Sequence, residues 1–357
     1  MPDVLLFGAT GYTGRLTARA LARRGASFAV AGRNKTKVEA IAREVGAADA
    51  RIADAGDLDA LRRAVADCRV LLTCVGPFVR YGDGAVRAAL AEGVHYIDST
   101  GEGAFIRSLL EQDGAARERG IAMAPAMGFD EVPADVGLRI AVDGLDRADA
   151  TATYAVPTTP SIGTLRSALG IMLGEGCCLV DGRPQPFHAA DESRVAPMPP
   201  PLGPKPAISA PLSIGDIASL HDDLRSFKPF VTSGGAQRAA LRWARRPAGL
   251  FVGSAPGRRI LEAVFRRLPE GPDEQGRRKR WTVLIEVSAA GRRRNVSLQG
   301  SDVYGLTAEL LSAAAIEMAG DGYDRAGVLS PVQAFGLDFL RELLHSSGVE
   351  IQVFEPG

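Results

Sequence analysis

The sequence of 357 residues lacks an excess of either charge, because its 42 basic side chains are matched by 42 acidic ones. A chain without a basic excess is a poor candidate for nucleic-acid binding, so we expect no nucleic-acid partner. The sequence also lacks an apolar run of the roughly 18 residues that span a bilayer, and it begins without a basic leader segment. These absences favour a cytoplasmic protein and leave association with a membrane surface open.

The sequence offers little that would hold a metal ion. Its four cysteines, of which two are adjacent, show neither metal-ligand spacing nor a disulfide framework. Its four histidines are scattered, so we expect no metal site. The Tyr-x-x-x-Lys pair of short-chain dehydrogenases, the Gly-x-Ser-x-Gly elbow of α/β-hydrolases and the phosphate loop of P-loop NTPases do not occur either. Three large enzyme classes are thereby excluded.

Strand-like and helix-like segments alternate over the first 140 residues. A helix is predicted over Lys35–Val45, for example, between two apolar runs. The predicted strands are Val4–Phe7, Phe28–Ala31, Arg51–Ala53, Val70–Cys74, Val94–Ile97 and Ile121–Ala124. This alternation predicts βαβ units and a parallel sheet. Ligands bind at the carboxyl ends of such strands, so the polar and glycine-rich residues that follow each strand are candidate site residues.

A glycine-rich loop follows the first predicted strand and opens the first predicted helix. Gly8 permits a tight turn, Gly11 lets a pyrophosphate approach the backbone, and Gly14 lets the helix pack close to the sheet. The helix N-terminus then offers N–H groups to phosphates. The predicted cofactor-binding residues of this loop are Gly8, Thr10, Gly11, Tyr12, Thr13 and Gly14. The alternative is a glycine-rich turn that binds nothing.

The residue after the second predicted strand indicates which dinucleotide is bound. NAD enzymes place a carboxylate there for the ribose 2′-OH, whereas this chain has Arg33-Asn34. A guanidinium pairs with a 2′-phosphate, so Arg33 predicts NADP(H), with a solvated surface arginine as the alternative. Asp54 either binds the adenine amine or caps the helix that begins near residue 57. The run from Val75 through Gly76 and Pro77 to Phe78 completes the predicted cofactor site.

Several segments together resemble the saccharopine dehydrogenase-like oxidoreductases, in particular the bacterial branch called trans-acting enoyl reductases. The matching segments are Gly8–Gly14, Ala31–Asn34, Val75–Phe78, Tyr96–Glu102, Gly128–Asp135, Gly163-Thr164, Gly271–Gln275 and Gly327–Pro331. The sequence departs from the family at Ile162, where a second glycine is common. The resemblance implies an α/β fold with an N-terminal Rossmann-like doubly wound parallel sheet and a second, smaller α+β domain.

The resemblance also implies domain bounds. We expect an NADP-binding domain over 1–132 and an α+β closing domain over 133–310. Helices and a strand over 311–357 are expected to pack back on the core. The closing domain contains a proline-rich insert near 190–212, and its seven prolines over 197–211 predict a long loop, acting either as a lid or as a passive surface excursion.

The reaction that the resemblance implies is hydride transfer with NADP(H). For a C=C bond, a donor such as Tyr96 or Thr100 would stabilise the enolate oxygen, and an acid would supply a proton. For a C=N bond, the Asp130 carboxylate would stabilise the protonated imine. The predicted catalytic residues are Tyr96, Asp98, Thr100 and Asp130. The alternative for both aspartates is that they cap helices or brace loops.

Three functions remain open at this point. The first is reduction of an enoyl C=C bond in a hydrophobic or carrier-bound substrate, and the second is a saccharopine-type dehydrogenase acting on C=N. The third is a catalytically silent NADP-binding module on a membrane. Residues 238–280 carry 12 basic and 4 acidic side chains, which predicts contact with a membrane surface or an acyl carrier, or else a solvated arginine-rich face. A homodimer is also left open.

Overall fold

The computed structural model describes residues 1–157, 160–233, 239, 243, 247–252, 254–265 and 267–355, apart from the side chain of residue 258. The chain divides into two compact units. The first unit contains Met1–Val132 and Val303–Ser347, and the second contains Pro133–Asp302 and Gly348–Gly357. The segment 311–357, predicted as one piece, is thus divided between the two units.

Strands and helices alternate along the beginning of the first unit. In chain order they are β1 (Val4–Phe7), α1 (Tyr12–Arg23), β2 (Phe28–Gly32), α2 (Lys35–Val45), β3 (Asp49–Ile52), α3 (Leu58–Val65), β4 (Val70–Thr73), α4 (Phe78–Tyr81), α5 (Asp83–Glu92), β5 (His95–Asp98), α6 (Gly103–Leu110), α7 (Asp113–Glu118) and β6 (Ala122–Ala124).

The remaining elements form the second unit and the return to the first. They are α8 (Val132–Val142), β7 (Ala148–Ala155), α9 (Ile162–Leu173), β8 (Gly176–Val180), β9 (Arg183–Phe187), β10 (Ser193–Ala196), β11 (Lys205–Ser209), α10 (Ile214–Ala218), β12 (Leu224–Thr232), α11 (Ala255–Phe265), α12 (Glu274–Arg277), β13 (Arg280–Ala289), β14 (Arg292–Ser301), α13 (Val303–Met318), β15 (Gly327–Val328), α14 (Pro331–Phe335), α15 (Leu337–Ser346) and β16 (Glu350–Phe354).

The sheet of the first unit is parallel throughout and confirms the predicted Rossmann-like fold. Its strand order is β15-β6-β5-β4-β1-β2-β3. The chain runs from β1 to β3 on one side and then returns to β4 on the other, so the strand order reverses between β1 and β4. Both of these strands are buried along their whole length, as strands covered by helices on both faces must be. A crevice for ligands opens at such a reversal.

The sheet of the second unit is mixed, as expected for an α+β domain. Its main path is β10-β11-β12-β7-β13-β14-β16, with β12 parallel to β7 and the other pairs of that path antiparallel. Helix α8 packs on one face of this sheet so closely that a Cβ atom on Gly137 would lie 2.6 Å from Leu298 Cδ1. No helix among the described residues is both long and apolar enough to cross a membrane.

The long loop predicted over 197–211 is wrong for residues 205–209, which form β11. Pro206 pairs with Val195 of β10 but lies outside the pairing of β11 with β12, which begins at Ala207. Met198 of the same segment is buried in a small apolar cluster with Phe230 and Leu284. The proline-rich segment therefore packs on the sheet of its own unit.

One buried ion pair lies inside the second unit. His221 Nε2 is 2.6 Å from Asp135 Oδ1, and both side chains are almost fully buried. Desolvation works to lower the pKa of His221, but the charge and hydrogen bond of Asp135 outweigh it, so the pKa is raised. A raised folded-state pKa stabilises the fold fully below the unfolded pKa of about 6.5, and this stabilisation is lost as pH rises through the folded pKa.

Replacing His221 with glutamine should therefore destabilise the protein in a pH-dependent way. We expect a loss of about 3 kcal/mol near pH 5.5, because a buried carboxylate loses its charged partner, and a smaller loss near pH 9. Urea unfolding at the two pH values measures both losses. The matched control is His345→Gln, since His345 is exposed. An equal loss at both pH values for His221→Gln would contradict the assignment.

Candidate functional site

The glycine loop brings the exit of β1 against the start of α1. Gly8 has a φ of +90° and a Cβ atom there would lie 2.7 Å from Val75 Cγ2, so only glycine fits. A Cβ atom on Gly14 would lie 2.1 Å from the Gly8 carbonyl oxygen. The two outer glycines are thus required by the packing of the chain itself.

The middle glycine has no such requirement from its neighbours. A Cβ atom on Gly11 would come no closer than 3.5 Å to the Gly8 oxygen, an ordinary contact, and Gly11 is exposed. Gly11 is the N-cap residue of α1, where no side-chain cap hydrogen bond forms, and the first turn of the helix holds no acidic residue. The N–H groups of a first helical turn have no partners within the helix. The loop is therefore open to an anion and fits the pyrophosphate of a dinucleotide.

Arg33 lies next to this loop, at the end of β2. A Cβ atom on Gly32 would lie 3.9 Å from Thr10 Oγ1, so the end of β2 adjoins the loop. Arg33 is exposed, and among the described residues its guanidinium has no hydrogen-bond or ion-pair partner. Asn34 accepts a hydrogen bond from Lys37 N at 3.0 Å and so caps α2. An unpaired cation beside the anion-binding loop fits a 2′-phosphate.

The sequence left two roles open for Asp54, binding of an adenine amine or capping of α3. In the structure another residue caps α3. Asp57 accepts a hydrogen bond from Ala60 N at 2.9 Å and caps α3. Asp54 instead accepts from Gly56 N at 2.9 Å in a tight turn, and it is exposed. A contact between Asp54 and an adenine amine stays a prediction.

The predicted loop after β4 is held by a residue outside the predicted cofactor set. Glu102 Oε1 accepts a hydrogen bond from Phe78 N at 2.9 Å, and Oε2 accepts one from Val79 N at 3.0 Å. Glu102 is buried. Val75 contacts the glycine loop through the close approach to Gly8, so the loops after β1 and β4 lie side by side.

Three of the predicted catalytic residues form a buried group at the end of β5. Asp98 Oδ1 accepts hydrogen bonds from Thr100 N at 2.8 Å and Ala126 N at 2.9 Å, and Oδ2 accepts one from the Tyr96 hydroxyl at 2.7 Å. Tyr96, Asp98 and Thr100 are almost fully buried. Burial raises the pKa of Asp98 to about 6, against the effect of its hydrogen bonds. Burial, with the neighbouring Asp98 charge, also raises the pKa of Tyr96.

Asp130, the fourth predicted catalytic residue, is in a different environment. It lies in the loop after β6 and is exposed to solvent, yet desolvation by the surrounding protein raises its pKa to about 6. The preceding residue anchors the loop, because Phe129 N donates a hydrogen bond to Thr307 Oγ1 at 3.0 Å. A carboxyl group with this pKa is able both to hold and to release a proton near neutral pH.

Tyr304 is a candidate site residue that sequence reasoning missed. Its ring meets the Tyr12 ring edge-on, with centroids 5.0 Å apart, so α13 returns from far along the chain to the glycine loop. The helix begins at Val303, so Tyr304 lies in its first turn. The polar pair Ser301-Asp302, which precedes the helix, is the sequence signal for a helix start at this position.

Part of the predicted basic segment, with arginines 238, 242, 245 and 246, lies outside the described residues. Within the described part, the segment presents large apolar side chains to solvent. They are Trp243, Leu250, Phe251, Ile260, Val264 and Leu268.

Comparison with known families agrees with the geometry of the first unit. Residues 4–124 match the family model of the saccharopine dehydrogenase NADP binding domain. Over these residues the first unit resembles the NADP-binding domain of saccharopine dehydrogenases. The predicted resemblance and the predicted cofactor, NADP(H), are thereby confirmed.

Two curated relatives share part of the sequence. A trans-acting enoyl reductase of Mycobacterium tuberculosis is 38% identical over 143 residues, which cover 38% of this chain and 34% of the relative. A lipid droplet localized protein of Caenorhabditis elegans is 33% identical over 149 residues, covering 38% of this chain and 35% of the relative. The matched part is thus about a third of the length of each relative.

A solved structure resembles the whole chain in fold. Apo saccharopine dehydrogenase (L-Glu forming) of Saccharomyces cerevisiae matches with a TM-score of 0.63 and covers 100% of both chains, at 13% sequence identity. At so low an identity, this structural likeness establishes a common fold but says nothing about the substrate.

Proposed function

We propose that the chain is an NADPH-dependent oxidoreductase that reduces an enoyl C=C bond of a hydrophobic or carrier-bound substrate. The observation that carries the cofactor assignment is Arg33, an unpaired guanidinium among the described residues, beside a glycine loop that is open to a phosphate. The names of the enoyl reductases that match the first domain support the choice of acceptor.

In this proposal Asp130 supplies the proton. Bound NADPH would deliver hydride to the β-carbon, and an acid must then protonate the α-carbon. Asp130 is exposed and its pKa is raised to about 6, so it is accessible to substrate, and a larger fraction of it is protonated near neutral pH than of an ordinary aspartate. Asp98, Tyr96 and Thr100 are enclosed by their own hydrogen bonds, and we assign them to bracing the strand ends.

The second candidate is reduction of a C=N bond by the same site. It needs Asp130 as a carboxylate, because an anion stabilises the protonated imine. The two candidates therefore require opposite protonation states of one residue. The likeness in fold to a saccharopine dehydrogenase, which extends over the whole chain, supports this second candidate.

A hydrophobic substrate would reach the enzyme from a lipid surface. We propose that α11 binds an anionic lipid surface. Ile260 and Val264 lie one helical turn apart on α11 and are 54% and 49% exposed, and Leu268, which follows the helix, is 41% exposed. Arg259 and Arg267 beside them are also exposed. Arg166 Nη2 lies 2.8 Å from Glu262 Oε2 and ties α11 to α9. An exposed apolar stripe with flanking cations suits an interface of acyl chains and anionic headgroups.

Replacing Arg33 with alanine tests the cofactor assignment. The unaltered protein should bind NADPH at least about tenfold more tightly than NADH, a difference of about 1.4 kcal/mol. The variant should lose this preference while its affinity for NADH is unchanged, because only NADPH carries the 2′-phosphate. Fluorescence titration with each nucleotide measures the four dissociation constants.

The matched control for that titration is Arg63→Ala, which removes an exposed arginine from α3 of the same unit. It should leave both affinities unchanged. Equal weakening of NADPH and NADH binding in Arg33→Ala, or no preference in the unaltered protein, would refute the assignment.

Replacing Asp130 with asparagine tests the proton donor. With an enoyl thioester as acceptor, kcat should fall by about a hundredfold or more, while the Kd for NADPH stays the same. A general acid acts when protonated, so kcat of the unaltered protein should decline as pH rises above about 6. Steady-state rates across this pH range measure the profile.

The direction of that profile separates the two acceptors. If Asp130 stabilises a protonated imine, kcat with an imine acceptor should instead rise above about pH 6, where the carboxylate is ionised. Asp59→Asn, at an exposed aspartate of α3, is the control and should change neither rate nor profile. If kcat does not change with pH near pH 6, and Asp130→Asn does not alter this dependence, then Asp130 takes no part in the reaction.

A double variant, Ile260→Ser/Val264→Ser, tests the lipid surface. The unaltered protein should cosediment with vesicles of phosphatidylglycerol and phosphatidylcholine, less so at high salt, since salt screens the flanking cations. The double variant should lose binding, and the control Val195→Ser, at an exposed valine of β10, should keep it. Binding to an acidic acyl carrier domain without binding to vesicles would overturn the lipid assignment.

A further inference from the structure

The loop that follows β4 is held from the next strand by one buried carboxylate. Glu102 accepts hydrogen bonds from Phe78 N at 2.9 Å and from Val79 N at 3.0 Å, one on each oxygen. These two N–H groups belong to the first turn of α4, whose N-cap residue Pro77 offers no side-chain cap. Glu102 therefore caps α4 from outside the helix and fixes the end of the loop 75–78.

This contact depends on a carboxylate rather than on any polar group. Each oxygen of Glu102 accepts from one backbone N–H, and an ionised acceptor strengthens both bonds. A glutamine has one acceptor oxygen, and its NH₂ group cannot accept a hydrogen bond. One of the two N–H groups would then face a donor instead of an acceptor, which destabilises this placement of the loop.

Glu102 is itself fixed by neighbours at the strand ends. Its backbone N–H donates to Thr100 Oγ1 at 3.1 Å, and Thr100 N donates to Asp98 Oδ1 at 2.8 Å. The same Asp98 oxygen accepts from Ala126 N at 2.9 Å. A continuous set of buried hydrogen bonds thus joins the residues that follow β4, β5 and β6.

These three strands belong, with β15, to one half of the sheet. In a doubly wound sheet each half takes one mononucleotide, and the dinucleotide lies across the reversal of strand order. Arg33 and the glycine loop follow β2 and β1, in the half that would take the adenosine with its 2′-phosphate. The loop 75–78 follows β4, in the half that would take the nicotinamide.

We propose that Glu102 is a positioning residue for the nicotinamide half of NADPH. This inference rests on the proposed cofactor site and assigns to Glu102 no contact with the nucleotide. It acts through the N–H groups of Phe78 and Val79, which set the course of the loop 75–78. Loss of this clamp leaves the adenosine half of the site intact, because Arg33 and Gly11 do not depend on it.

The test compares NADPH with adenosine 2′,5′-bisphosphate, which carries the adenosine half alone. For Glu102→Gln we expect the Kd for NADPH to rise at least about tenfold and the Kd for the bisphosphate to stay within about twofold. Glu102→Asp keeps the charge but shortens the side chain by one methylene, so it should behave like Glu102→Gln. The fluorescence emission of bound NADPH, which reports the surroundings of the nicotinamide, should shift toward that of the free nucleotide in both variants.

The control is Glu111→Gln, which alters an exposed glutamate next to α6 and should change none of these values. Unchanged bisphosphate binding in the Glu102 variants shows at the same time that the domain is folded. Equal weakening of both ligands, or unchanged NADPH binding, would overturn the positioning role. If the unaltered protein binds neither ligand, the proposed cofactor site itself fails, and that result is distinct from the other two.

Discussion

The site depends on the approach of α1 to the end of β1, which is too close for any side chain at the contact. The Gly8 carbonyl oxygen occupies the place where a Cβ atom of residue 14 would lie, 2.1 Å away. The positive φ of Gly8 turns the chain into this contact, and Val75 of the adjacent strand end closes it from the other side. Because the packing uses the two outer glycines, the helix N-terminus at Gly11 remains open. The proposed anion-binding site is thus a consequence of how tightly the helix meets the sheet.

The strand ends on the other side of the reversal are ordered by hydrogen bonds instead. Asp98 accepts hydrogen bonds from backbone N–H groups that follow β5 and β6, and Glu102 accepts hydrogen bonds from backbone N–H groups that follow β4. Both carboxylates are buried, so each needs these donors to offset the loss of water. The same hydrogen bonds join these loops to one another. The two halves of the site therefore differ physically: one is shaped by the absence of side chains, and the other by buried acidic ones.

The strands and helices of the first unit were predictable from the sequence because the residues that begin and end them are their immediate neighbours in the chain. Helix α2 has the bounds Lys35–Val45 that the sequence predicts, since Asn34 caps its start and Gly46 ends it in a left-handed conformation. The contact of Tyr304 with Tyr12 was not predictable, because the two residues are far apart in sequence and only the fold joins them. The capping of α4 by Glu102 was missed for the same reason. Strand β11 was missed because proline counts against a strand, although Pro206 lies outside the pairing with β12.

Two aspartates at this edge have pKa values raised to about 6, and their surroundings separate their roles. Asp98 is fully buried, and its two oxygens accept three hydrogen bonds from the protein. A proton gained or lost there would have to break that set. Asp130 has a similarly raised pKa but is exposed to solvent, so a proton there could exchange with water in the reaction we propose. An elevated pKa alone therefore does not mark a proton donor; the donor must also be reachable, and of these two carboxyl groups only Asp130 meets both conditions.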